Sequence, residues 1–258
     1  MAFHYLHRLT GRVRTREANR QLGGILAFVA GAINAGGYLA VQRYTSHMTG
    51  IVSAIADDLA TGGFGLAVAG LAALASFVCG AACTAVLINW ARRRQLRSKY
   101  ALALLLEAVL LLAFGLVGAH LSSFEHLLIP TAVLLLCFVM GLQNAIVTKI
   151  SRAEIRTTHM TGVITDLGLE LGRLFYWNRN PDANAIHVVR ANRDKLAIHA
   201  LVLGLFFFGG LLGALAFKHF GFSATIPIAC LLVVLAAPPL LLDLRHGRQL
   251  SHPLSRHT

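Results

Sequence analysis

Charge is scarce in this chain. Only 13% of its 258 residues are Asp, Glu, Lys or Arg, against about 25% in an ordinary soluble domain. With 56% of residues hydrophobic, one core cannot hide all the apolar surface, and lipid must solvate much of it. Acidic residues are fewer still, 11 against 23 basic, giving a net charge of +12. The basic residues cluster between apolar stretches and do not line one face, which argues against nucleic acid. Cysteine is limited to Cys79, Cys83, Cys137 and Cys230. All four lie in apolar segments, which excludes a secreted disulfide framework. Cys79 and Cys83, one helical turn apart, read as small packing residues. No GxSxG, HExxH, CxxC or phosphate-cradling glycine loop is present, so neither an enzyme nor a resident cofactor is expected.

What the chain does have is long apolar runs. Six are long enough to cross about 30 Å of hydrocarbon as helices: Leu22–Gln42, Phe64–Trp90, Ala101–Leu121, Leu127–Thr148, Leu196–Phe217 and Phe222–Leu242. Arg12, Arg14, Arg16 and Arg20 precede the first run and imitate a signal peptide. That run exceeds the roughly 7–15 residues of a signal core, and it reads as a retained span. Pro227, Pro238 and Pro239 are expected to bend or end the last run. With a cytoplasmic N-terminus, Arg92–Arg94, Arg97, Lys99, the basic residues of 149–195 and Arg245, Arg248 and Arg256 all fall inside. Only Arg43 and Lys218 fall outside, as the positive-inside rule requires. Trp90, Tyr100, Tyr176 and Trp177 then mark the inner interface. Counting Ser46–Ala60 and Thr158–Gly172 as further full spans would put the Arg92–Lys99 run outside, so both read as half-helices or re-entrant segments.

The chain repeats itself. Residues 28–35 read FVAGAINA and 138–145 read FVMGLQNA; residues 46–50 read SHMTG and 158–162 read THMTG. Asp58 aligns with Glu170, and Phe77-x-x-Gly80 echoes Phe206-x-x-Gly209. Three spans per copy invert the second copy relative to the first, a plan used by secondary transporters. The expected fold is therefore an all-α membrane protein of six transmembrane helices. They form two inverted three-helix repeats, each with a broken or re-entrant half-helix starting at HMTG. The expected organisation is a basic cytoplasmic tail at 1–21, repeat one at 22–121, and repeat two at 122–243 with a cytoplasmic insertion at 173–195. A cytoplasmic tail follows at 244–258.

The candidate site follows from the repeated polar residues. Ser46 and Thr158, or Thr49 and Thr161, are candidate N-caps for the helices after them. Uncapped first-turn N–H groups at membrane depth need an anion, a polar solute or water. Gly50 and Gly162 would let a ligand or a helix approach closely. Asn34, Asn144 and Gln143 are buried amides that bond a neighbouring helix or line a cavity. Glu107, Asp58 and Glu170 are coupling candidates, Glu107 as an intramembrane carboxylate. His47 and His159 suit proton coupling. With Met48 and Met160 they also offer soft-metal ligands, though no further ligand cluster accompanies them.

GLQNA at 141–145, MTG in both repeats and the LLLE opening of the third run resemble the YoaK-like family of bacterial inner-membrane proteins (DUF1275 type). The resemblance covers roughly residues 22–243. It implies about six spans in an inner membrane and names a fold group with no activity attached. Relatives commonly carry Asp where this chain has Asn34, and often Asn where it has Ile51. A proton or cation site at that Asp would be missing here. The expected function is a secondary transporter or channel for a small polar or anionic solute, bound near the midplane. The rival is a membrane scaffold or accessory protein, and metal-ion transport through the His/Met pairs comes third. Expected partners are the lipid bilayer and the solute, with self-association a further candidate.

Overall fold

The computed structural model describes residues 15–96, 98–119, 125–151, 159–176 and 189–250. Every regular element among them is helical. In chain order they are α1 (Arg16–Val41), α2 (Met48–Ala60), α3 (Phe64–Arg93), α4 (Ala101–Ala119), α5 (Glu125–Ser151), α6 (Met160–Phe175), α7 (Arg193–Phe220) and α8 (Thr225–Leu250). Five runs are long and apolar enough to cross a membrane. The last of these, Arg193–Leu244, spans 52 residues. At 1.5 Å per residue it would be about 78 Å long, far more than a bilayer core. It is divided by a 3-10 turn at Gly221–Ala224, where Gly221 has φ 58°.

Several boundaries differ from expectation. α1 begins at Arg16 because Thr15 caps it, its hydroxyl accepting from the Ala18 N–H at 3.2 Å. Part of the expected basic tail is therefore helix. α8 runs through Pro238 and Pro239 to Leu250, so these prolines do not end it. Neighbouring helices make such interruptions tolerable in a bundle. Cys79 is exposed and Cys83 half-buried. They face outward, and the packing surface of α3 is formed instead by Ala73, Gly80, Thr84 and Ile88.

The helices pair through glycine. A Cβ on Gly31 would collide with the carbonyl oxygen of Phe206, and one on Gly209 with that of Phe28. The same reciprocal arrangement joins Gly80 to the Phe138 carbonyl and Gly141 to the Phe77 carbonyl. All four glycines end a Phe-x-x-Gly string. Such close approach lets backbones touch where side chains would hold them apart, and it suits Cα–H···O contacts. Hydroxyls reinforce the second pair: Ser76 donates to the Leu134 carbonyl at 2.7 Å and Thr84 to that of Leu142 at 3.0 Å. The constant offset means that α3 and α5 run parallel. By the same logic α1 runs parallel to α7.

α4 runs antiparallel to α8. At one end the Ser98 N–H donates to Asp243 Oδ2 at 2.8 Å, and at the other Gly115 lies against Thr225. α4 is also antiparallel to α5, with the Tyr100 hydroxyl donating to the Lys149 carbonyl at 3.4 Å. Buried Leu26, Ile33, Leu104, Leu111, Leu136, Met140 and Leu232 form one core among α1, α4, α5 and α8. The outer faces are oily. Leu116 is 70% exposed, Val86 66% and Phe207 63%, a surface that needs lipid against it.

Candidate functional site

α2 starts alongside α1 and not beyond its end. The Ser46 hydroxyl donates to Asn34 Oδ1 at 2.7 Å, and Asn34 lies seven residues before the end of α1. At 1.5 Å per residue, the connecting segment 42–47 thus returns about 10 Å along α1 before α2 begins. The stacked Tyr38 and Tyr44 rings, 4.4 Å apart, brace this fold-back. The N-cap positions of α2 and α6 are His47 and His159, and neither of these side chains makes a capping hydrogen bond. This corrects the expected caps: Ser46 lies one residue before the N-cap and donates to Asn34, and Thr49 and Thr161 lie inside the first turns. Thr158 lies outside the described residues.

Both HMTG blocks open onto one cavity of about 780 Å³. Its wall includes Ser46, His47, Met48 and Thr49 from the first block and His159, Met160, Thr161 and Gly162 from the second. Phe77, Asn144, Thr148, Thr165 and Asp166 complete it. Two helix N-termini therefore bring partial positive charge to a single space, together with hydroxyls whose oxygens can still accept. Asp166 supplies the negative charge, held 3.4 Å from Lys195 Nζ and 3.5 Å from His199 Nε2. His199 Nδ1 sits 2.7 Å from the Lys195 carbonyl, which can only accept, so Nδ1 carries a proton.

Gly50 is not in the wall. A Cβ there would strike the His47 ring, and one on Gly162 would come within 3.0 Å of His159 Nδ1. Each glycine makes room for the imidazole of its own block, which folds back over the first turn; Gly162 also lines the cavity, where a ligand can approach it, whereas Gly50 does not. Gly50→Ala is expected to displace the His47 ring while leaving stability within about 1 kcal/mol, because a side-chain tip can yield. The His47 imidazole resonances should shift in NMR spectra. Gly162→Ala should move those of His159 much less.

The remaining candidates are placed elsewhere. Asp58 lines a separate, mainly apolar cavity of about 280 Å³ with Arg43, Ile55 and Pro130. Glu170 is 1% exposed; it accepts from Arg173 at 2.8 Å and from the Asn192 N–H at 2.8 Å. It thus fastens the end of α6 to the start of α7. Gln143 and Glu107 are fully buried in the core, away from the wall that Asn144 joins. The sequence reading missed Thr148 and Thr165. The signal was there, since Thr148 follows Asn144 by four residues and Thr165 follows Thr161 by four, each on the same helical face.

A family model described as "Protein of unknown function (DUF1275)" matches residues 22–237. The chain belongs to this family. As a DUF1275 member it is 28% identical over 207 residues to the UPF0700 transmembrane protein YoaK of Bacillus subtilis (strain 168). That alignment covers 76% of this chain and 84% of the relative. No solved structure matches the chain at a significant level. A transmembrane relative and five long apolar runs make this DUF1275 protein a multi-pass integral membrane protein.

Proposed function

We propose that this protein is a secondary transporter or channel for a small polar or anionic solute, built as six spans in two inverted repeats. The observation that carries the reading is the convergence of both HMTG blocks on one cavity. An inverted repeat places its substrate site between the copies, at the starts of broken helices. Three features support the six-span count. α2 has 13 residues and α6 has 16, about 20 and 24 Å, short of the roughly 30 Å needed. Second, α4 and α8 are antiparallel, as third and sixth spans must be; were both short helices spans, they would be parallel. Third, the paired contacts of α1 with α7 and α3 with α5 obey one exchange of halves. Arg92, Arg93, Lys149, Arg193 and Lys195 then share one side with both termini, which is the cytoplasmic side of an inner membrane.

A soft metal is the second reading, favoured because His47, Met48, His159 and Met160 all line the cavity. The scaffold reading has no comparable observation behind it. The test is thermal unfolding of the purified protein against metabolites, anions and Cu(I) or Ag(I). A ligand at a hundred times its Kd adds about 2.7 kcal/mol. That stabilisation should fall several-fold in both Asn144→Ala and Thr161→Ala. A panel with no hit, and two variants that are merely less stable, would favour the scaffold.

A further inference from the structure

We propose that Glu107 and Gln143 form a proton-binding site in the centre of the bundle, distinct from the solute cavity. Both side chains are 0% exposed. Both carboxyl oxygens of Glu107 and both amide atoms of Gln143 lack a hydrogen-bond partner among the described residues. Four orphaned polar atoms in an apolar core are costly, and membrane helices keep such groups for function.

The two side chains do not bond one another in this structure, but the pairing of their helices puts them at a similar level. The Tyr100–Lys149 bond sets the register of antiparallel α4 and α5. Counting seven residues inward from each end brings Glu107 beside Leu142 and Gln143. On α8, the stretch level with Glu107 lies between Thr225 and Asp243. Its sole titratable residue is Cys230, which is exposed, and Asp243 is bonded at the far end to the Ser98 N–H. α3 contributes Thr84, already donating to the Leu142 carbonyl. α5 contributes the buried Cys137 and, at its inner end, Lys149. Lys99 stands before α4, 5.2 Å from the Tyr100 ring. Among the described residues, these elements therefore set no cation against Glu107.

The chemistry selects a proton. Hard metal ions take six or more oxygens, and this pair offers three. A carboxylic acid and a primary amide each present one donor and one acceptor side by side, so they can satisfy one another. Release of the proton to water leaves a carboxylate that Gln143 can bond but not neutralise, in a core with no countercharge. That state favours a rearranged bundle. Gln143 adjoins Asn144, whose side chain lines the cavity on another face of α5, so a shift of α5 would be felt by both sites. The proton site stands by itself; its role in coupling rests on the transport reading.

Infrared difference spectroscopy on the purified protein tests it, with pH stepped from mildly acidic to alkaline. The expected result is a pH-dependent carboxylic C=O band that is absent in Glu107→Gln and shifted in frequency in Gln143→Leu. Should Glu107→Gln fail to fold, Glu107→Asp must move the band. A band that survives in Glu107→Gln, or is indifferent to Gln143→Leu, overturns the site. A band that behaves as expected in a protein no solute stabilises keeps the site and removes its coupling role.

Discussion

Valine at Gly31 or Gly141 is expected to abolish recovery of folded protein from detergent extracts. At each position the new Cβ would meet the carbonyl oxygen of a facing helix, Phe206 or Phe77. That oxygen belongs to a hydrogen-bonded backbone and cannot swing aside, so relief requires the helices to part along their length. Overpacking in cores costs typically about 1–3 kcal/mol, and more where nothing can yield. The cost here should reach or exceed about 3 kcal/mol, since separation also forfeits the Ser76 and Thr84 bonds or the equivalent small-residue contacts of α1 with α7. Size-exclusion profiles and thermal melts check this. Gly204→Ala is the control: nothing lies within 4 Å of a Cβ there. Removing a helical glycine at an open position should raise stability by up to about 1 kcal/mol.

The second large effect runs the other way. The double substitution Glu107→Leu with Gln143→Leu should stabilise the purified protein, by about 1–3 kcal/mol, while eliminating solute-driven flux. Neither side chain has a hydrogen-bond partner among the described residues, so each Leu removes a desolvated polar group without breaking a bond, and the double removes both. The single variants should therefore lie below the double in unfolding temperature. A gain in the double equal to the sum of the two singles would mean that the two residues do not share a site.

The repeat was legible because its polar and small residues recur at fixed spacing, and HMTG does open both short helices, at Met48 and Met160. Phe-x-x-Gly was visible as an echo, but its use was not. Which glycine meets which carbonyl depends on helices far apart in the chain, as Gly80 from Phe138 and Gly31 from Phe206. Gln143 and Asn144 look equivalent in sequence, yet they are about 100° apart around α5, and only the arrangement of neighbouring helices sends one to the core and the other to the cavity. The N-caps were misjudged for a related reason. Ser46 has the right chemistry for a cap, but the N-cap position falls one residue later, on His47, and the Ser46 hydroxyl donates to a tertiary partner, Asn34. That same bond folds the α2 start back alongside α1, which no local pattern announces.

The pairing of α1 with α7 bears on how the chain is made. Gly31 leaves the ribosome some 175 residues before Phe206, so the glycine face of α1 enters the membrane with its natural neighbour not yet synthesised. α3 waits less long for α5. The earliest helices must therefore be held as separate insertions, and final assembly becomes an end-of-synthesis event. A nascent chain cut short after α6 would leave the glycine face of α1 without the α7 backbone that fills it in the finished protein.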